Sequence, residues 1–289
     1  MRRFACSVLA IAAAVLPRLA EAQACCAGAA AGELGRLTLH EEALLGVDLR
    51  AVRTLGAFGD DASFRAARVE ALQFEQSFVG TLRLGEAVQV GAVLPLVGSF
   101  ARTPRESGFG GGLGDVRLSA RCDFTFAGAS RTVPGIALLG GVAAPSGRPV
   151  EATDHPLGVE ATGMGRWRSW LGAAVEQSHG WAFAQIAGAV IHDAPRDVGD
   201  RRADARWGAT GSVVLGASLP SEWTLAASAL YEVEPRSPRR NVRFGLGVGH
   251  PLRDWRLQGG VFTDAPFGGL GRNQTVQAGF HFALMRIWT

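Results

Sequence analysis

From Gly114 to Phe126 the chain reads GDVRLSARCDFTF, and it sorts into two sets at every second residue. Val116, Leu118, Ala120, Cys122, Phe124 and Phe126 are apolar; Asp115, Arg117, Ser119, Arg121, Asp123 and Thr125 are polar. Successive side chains on a strand point to opposite faces, so this period predicts a strand with one apolar and one wet face. Such a strand belongs either to a water-soluble sandwich or to a membrane barrel with lipid outside and water inside.

The pattern recurs twelve times, over about 43–58, 68–84, 88–100, 114–126, 135–144, 166–178, 181–192, 206–219, 223–233, 241–250, 255–264 and 274–285. The connections decide between the two architectures. Those at 59–67, 101–113, 145–165, 193–205, 234–240 and 265–273 are long. Those at 85–87, 179–180, 220–222 and 251–254 are short, with 127–134 intermediate. Alternating short and long connections are what outer-membrane barrels have, with short periplasmic turns and longer outer loops. Trp181, Trp223 and Trp255 each open a strand just after a short turn, as an aromatic girdle at one membrane interface does. The expected fold is all-β: a transmembrane antiparallel up-and-down barrel of about 12 strands over 43–289, with both termini periplasmic.

The first residues read as an export signal. Arg2 and Arg3 precede an apolar run, Phe4 to Leu16, and small-x-small sites follow at Ala20–Ala22 and Ala22–Ala24. The run is too short to span as a helix. Residues 1–24 are expected to be a signal peptide, leaving Cys25 first. A lipoprotein would also begin with Cys, but its signal usually has Leu three residues earlier, where Ala22 stands. Residues 25–42, with an Ala/Gly run at 27–32, are expected to be a periplasmic tail or a plug in the lumen.

Cleavage removes three Arg and one Glu from 29 basic and 26 acidic residues, so the mature chain is nearly neutral. That balance gives no reason to expect nucleic acid as a partner. Every basic residue is Arg, which excludes a Walker-type phosphate loop and a Schiff-base lysine. Three mature cysteines, Cys25, Cys26 and Cys122, fit neither a complete disulfide framework nor a zinc site. The six His are scattered, there is no G-x-S-x-G, and the Gly run 108–114 has Leu113 at the third position of a dinucleotide fingerprint. No enzyme, metal or cofactor is expected.

What the pattern does offer is a charged inner wall. Asp48, Arg50, Glu75, Arg83, Asp115, Arg117, Arg121, Asp123, Arg168, Glu176, Glu232, Arg243 and Arg256 fall on the predicted lumen face. Eight strands give a filled interior and sixteen to eighteen an open channel; twelve lies between. The ladder therefore fits a hydrated path or a self-neutralising filling.

Gly112 to Leu118, then Pro134 to Gly147 ending in Ala143-Ala144-Pro145-Ser146-Gly147, then Gly163-Met164-Gly165 ahead of Trp167, resemble a known family. It is the set of outer-membrane barrels named after the meta-cleavage pathway of phenol degradation. The resemblance implies uptake of small, often aromatic solutes, and supplies no catalytic residue. The last strand, with Phe280, Phe282 and Trp288, resembles the signal read by the barrel assembly machinery, although Thr289 replaces the usual final Phe. The function expected is an outer-membrane pore or transporter for small, aromatic or hydrophobic solutes, passive and narrow. The alternative is a closed structural or adhesive barrel working through its outer loops.

Overall fold

A computed structural model describes residues 35–130, 132–198, 201–220, 222–234, 239–265 and 270–289. The expected signal peptide, Cys25, Cys26 and most of the 25–42 segment lie outside the described residues.

Among the described residues sixteen strands follow one another: β1 (Ala43–Phe58), β2 (Phe64–Ala66), β3 (Glu70–Leu84), β4 (Val88–Arg102), β5 (Ser107–Leu113), β6 (Arg117–Thr125), β7 (Gly135–Ala143), β8 (Arg168–His179), β9 (Ala182–Asp193), β10 (Arg196–Val198), β11 (Arg201–Ala203), β12 (Arg206–Ser218), β13 (Thr224–Glu234), β14 (Arg239–Leu252), β15 (Trp255–Asp264) and β16 (Thr275–Trp288). Twelve of them form one antiparallel sheet in the order β16-β15-β14-β13-β12-β9-β8-β7-β6-β4-β3-β1, and β16 pairs back onto β1. Closure leaves no free edge among these twelve, the condition for β-structure inside a bilayer, while β2 and β5 add to the same sheet on β1 and β4. β10 and β11 form a separate hairpin in the connection between β9 and β12.

The alternation predicted from the sequence is the one that sets the faces. Leu118 is 54% exposed and Phe124 67%, whereas Asp123 between strand neighbours is 5% exposed. Leu45, Leu49, Phe74, Phe78, Leu94, Leu171, Ile186, Leu215, Leu246 and Phe280 continue the outer belt around the barrel. A soluble monomer rarely exposes one apolar patch above about 600 Å², so a belt encircling twelve strands requires lipid. Barrel strands of 9 to 16 residues meet the roughly 9–11 needed to cross at a tilt. Short turns 85–87, 180–181, 219–223 and 253–254 gather at one end, with the ends of β1 and β16. The 126–134 connection also lies there, so the alternation by side holds although that turn is longer than its fellows. Trp181, Trp223 and Trp255 are exposed at this end, and Trp223 stacks on His250 with ring centroids 4.5 Å apart.

Three connections expected as loops carry strands: β2 within 59–67, the β10–β11 hairpin within 193–205 and β5 within 101–113. Residues 101–113, read as a long loop, form a tight turn at Thr103–Glu106 and then β5, which pairs β4. The strand read as beginning at Gly114 begins at Arg117. β5 and β6 lie end to end against β4: Leu113 stands opposite Leu96 and Arg117 opposite Val93. Three residues, 114–116, thus face two, which is a bulge. Five glycines within 107–114 blurred the period that would have announced β5.

Beyond the bulge β5 has no strand on its second side, because β7 stops at Ala143. The loop between β7 and β8 covers that edge, as exposed edges generally require. Thr162 Oγ1 donates to the Leu113 carbonyl at 2.7 Å. Gly110 lies so close to this loop that a Cβ there would stand 2.8 Å from the Val159 carbonyl oxygen. Ser146 Oγ donates to the Gly114 carbonyl (2.7 Å) and accepts from Val116 N (2.9 Å). The Asp115 carboxylate accepts from Gly147 N at 3.0 Å and Met164 N at 2.7 Å. The three stretches that carry the family resemblance are therefore one structural knot, around the bulge.

Candidate functional site

The lumen is the candidate site, and its short-turn end begins with a local turn. Glu41 N donates to the Thr38 carbonyl (3.2 Å) while Thr38 N donates to Glu41 Oε2 (2.7 Å), folding residues 38–41 on themselves. Leu37 is buried in a small apolar cluster with Leu44, Val79, Ala283 and Met285. Around that anchor the ionic contacts close. Arg83 Nε donates to the Glu41 carbonyl at 2.8 Å, and Arg256 contacts the Glu41 carboxylate. Arg256 Nη1 donates to the Arg36 carbonyl at 3.0 Å, and Arg36 pairs with Glu176. Arg256 stands on β15 and Glu176 on β8, five strands apart one way round and seven the other. Only a segment inside the barrel can touch both walls, so residues 35–42 cross the lumen.

The same layer carries Gln89, whose Nε2 donates to Asp123 Oδ2 at 3.0 Å and whose Oε1 accepts from Leu37 N at 3.0 Å. Arg121 donates to Asp123 (2.8 Å) and Glu176 (3.0 Å), and Gln185 Nε2 adds a bond to Glu176 at 3.2 Å. Glu176 is 1% exposed. A buried charge is tolerable only when paired and hydrogen-bonded, and three partners meet that condition here.

Higher in the barrel, Asp48 faces His281 at 3.6 Å. Glu75 accepts from Ser77 Oγ at 2.8 Å and stands 3.7 Å from Arg117. Arg50 and Arg243 both lie over the Phe262 ring, 4.5 and 5.0 Å from its centroid. Arg243 and Asn241 donate to Asp264 at 2.8 and 2.9 Å. At the long-loop end Arg168 forms a two-pronged bond to Asp193, 2.6 and 2.9 Å, and Glu232 lines a small cavity beside them. Of the charged residues expected on the wall, Asp115 has its carboxylate committed to the β7–β8 loop.

Between these layers the described residues leave part of the lumen unfilled. A cavity of about 290 Å³ lies against β4, β6–β9, β12 and β13. Its wall is mostly small or apolar: Gly91, Ser119, Leu139, Ala187, Ala189 and Leu230, with Trp170 among them. Trp170 points inward from β8, and a Cβ on Gly141 would meet its ring at 2.2 Å. Sequence reading assigned inner positions by polarity, so it missed Trp170 along with the neutral partners Gln89, Gln185 and Gln258. Arg36 and Glu41 lie before the first strand, where no period exists to place them.

This arrangement, a closed twelve-stranded barrel with an apolar belt and a charged interior, is a membrane barrel of the outer-membrane type. Its solved relatives in fold are of that kind. An outer membrane channel from Pseudomonas putida F1 superposes with a TM-score of 0.68 at 15% identity, over 89% of this chain and 98% of that one. The translocator domain of the autotransporter NalP from Neisseria meningitidis gives 0.53 at 10% identity, over 90% and 93%. The NanC porin gives 0.50 at 7% identity, over 84% and 100%. No protein-family profile and no curated protein sequence matches the chain. At these identities the likeness is one of fold.

Proposed function

We propose that the protein is a narrow, passive outer-membrane pore for small solutes. The observation that carries this is the unfilled lumen: a barrel built only as a scaffold has no need of a cavity of about 290 Å³ bordered by arginines and small side chains. The charged wall residues, from Asp48 and Arg50 to Arg243 and Arg256, hydrate the path with both signs, which disfavours strong selection by charge alone. Residues 35–42, which cross the lumen, form its constriction. Trp181, Trp223 and Trp255 anchor the barrel at the periplasmic interface. Barrel lipid and the barrel assembly machinery are its partners in the envelope. The resemblance to the phenol meta-cleavage barrels supports small aromatic or hydrophobic solutes as cargo.

Single-channel recording of the refolded mature protein beside a variant lacking residues 25–42 tests the reading. Small conductance steps are expected, larger in the deletion variant. Flat traces from both, with folding shown by heat-modifiable migration, would leave a closed barrel acting through its outer loops.

A further inference from the structure

The cavity has a polarity of its own. Among the described residues three arginines, Arg36, Arg117 and Arg121, line it, and no carboxylate does. Their countercharges stand outside its lining: Glu176 is held by Arg36, Arg121 and Gln185, and Asp123 by Arg121 and Gln89. Arg117 is the least engaged of the three. Its one acidic neighbour, Glu75, is 3.7 Å away, outside hydrogen-bonding distance, and accepts from Ser77 instead. The Arg117 side chain is 41% exposed. A guanidinium presents a planar fork that matches a carboxylate. The remainder of the wall is the opposite in character: Trp170, Leu139, Leu230 and a floor of Ala and Gly from β9.

From this juxtaposition we infer that the lumen holds a binding site for a small organic anion: a single carboxylate on a flat apolar body. The carboxylate is received by Arg117, and the body lies against Trp170. The volume suits one ring, being at the lower limit of about 300 Å³ for ligand pockets. A neutral aromatic would leave Arg117 unanswered, and acetate would leave the apolar wall empty. The inference rests on the pore reading for its physiological meaning, because a waypoint needs a path, but the site itself can be measured without conduction.

The test is benzoate binding to the refolded full mature chain in detergent, followed by calorimetry and by tryptophan fluorescence, with benzyl alcohol and acetate as comparators. Benzoate should bind at least ten-fold more tightly than either. Arg117→Gln should weaken benzoate by ten-fold or more and leave benzyl alcohol unchanged. Equal binding of benzoate and benzyl alcohol, or no benzoate binding by a folded barrel, overturns the site; this comparison decides the matter even where the variant misfolds. Conductance recorded in parallel separates the two readings. Steps without benzoate binding remove the site and keep the pore. Benzoate binding by a silent barrel keeps the site and removes the pore.

Discussion

Leu118 and Ser119 are neighbours in sequence, yet one faces lipid and the other lines the cavity. An arginine facing lipid near mid-membrane costs about 2–4 kcal/mol, while lumen changes are tolerated better. Leu118→Arg should therefore lower the heat-modifiable, folded fraction, and Ser119→Arg should leave it near wild type; equal behaviour would refute the register. Glu176 makes a second residue-scale case. Replacing it by Gln leaves Arg36 and Arg121 facing a neutral group in a buried layer, and breaking a buried ion pair costs about 3–5 kcal/mol. Glu176→Gln should lower the unfolding midpoint of the barrel in urea far more than Glu232→Gln, whose side chain lies at the exposed long-loop end. At this scale the sequence was legible wherever a charge interrupted an apolar run, as at Arg121 and Asp123. It was silent where an aromatic such as Trp170 faces inward, because alternation separates polarity and not direction.

The element that explains most is the bulge at 114–116 with the loop packed on it. β6 and β7 are the shortest barrel strands, nine residues each, and β7 leaves β5 without a strand on its outer edge. Asp115 holds the covering loop by two backbone N–H groups. Asp115→Ala leaves both without that acceptor, about 1–3 kcal/mol for each buried one, and should make 146–165 sensitive to added protease while the barrel stays folded. The loop also carries a pH response. The backbone N–H of Asp154, with Arg148 beside it, holds the Glu160 carboxyl below its ordinary value of 4.5. A carboxyl depressed in the folded state contributes stability above its unfolded value and loses it as pH falls through the folded one. Protection of the loop in hydrogen exchange should persist from pH 7 to about 4.5 and decline below. Loss already between pH 7 and 5.5 would overturn this assignment to Glu160. The twelve barrel strands were readable from alternation to within about three residues; β5 was not, because glycine has no side chain to alternate, and neither were the three-residue strands β2, β10 and β11.

For the whole molecule, orientation is the measurable property. With an even strand number the start of β1 and the end of β16 lie together on the short-turn side, as the pairing of Ala43 with Trp288 shows. An epitope tag at Asp154 should be accessible on intact cells and one at Glu222 should not; the reverse would invert the barrel. Fold class was written in the sequence because lipid acts on every strand alike. The lumen was not, since its contents depend on which distant strands meet across it.

The bond from Arg256 to the Arg36 carbonyl joins residues 220 apart in sequence. It lies within a wall that closes only when the last strand meets the first. An inner segment tethered to opposite sides of a ring has little room to enter once the ring is shut. The inner segment and the closed wall therefore hold one another: the ties at Arg36 and Glu41 exist only once the ring is shut, and each of them helps keep it shut.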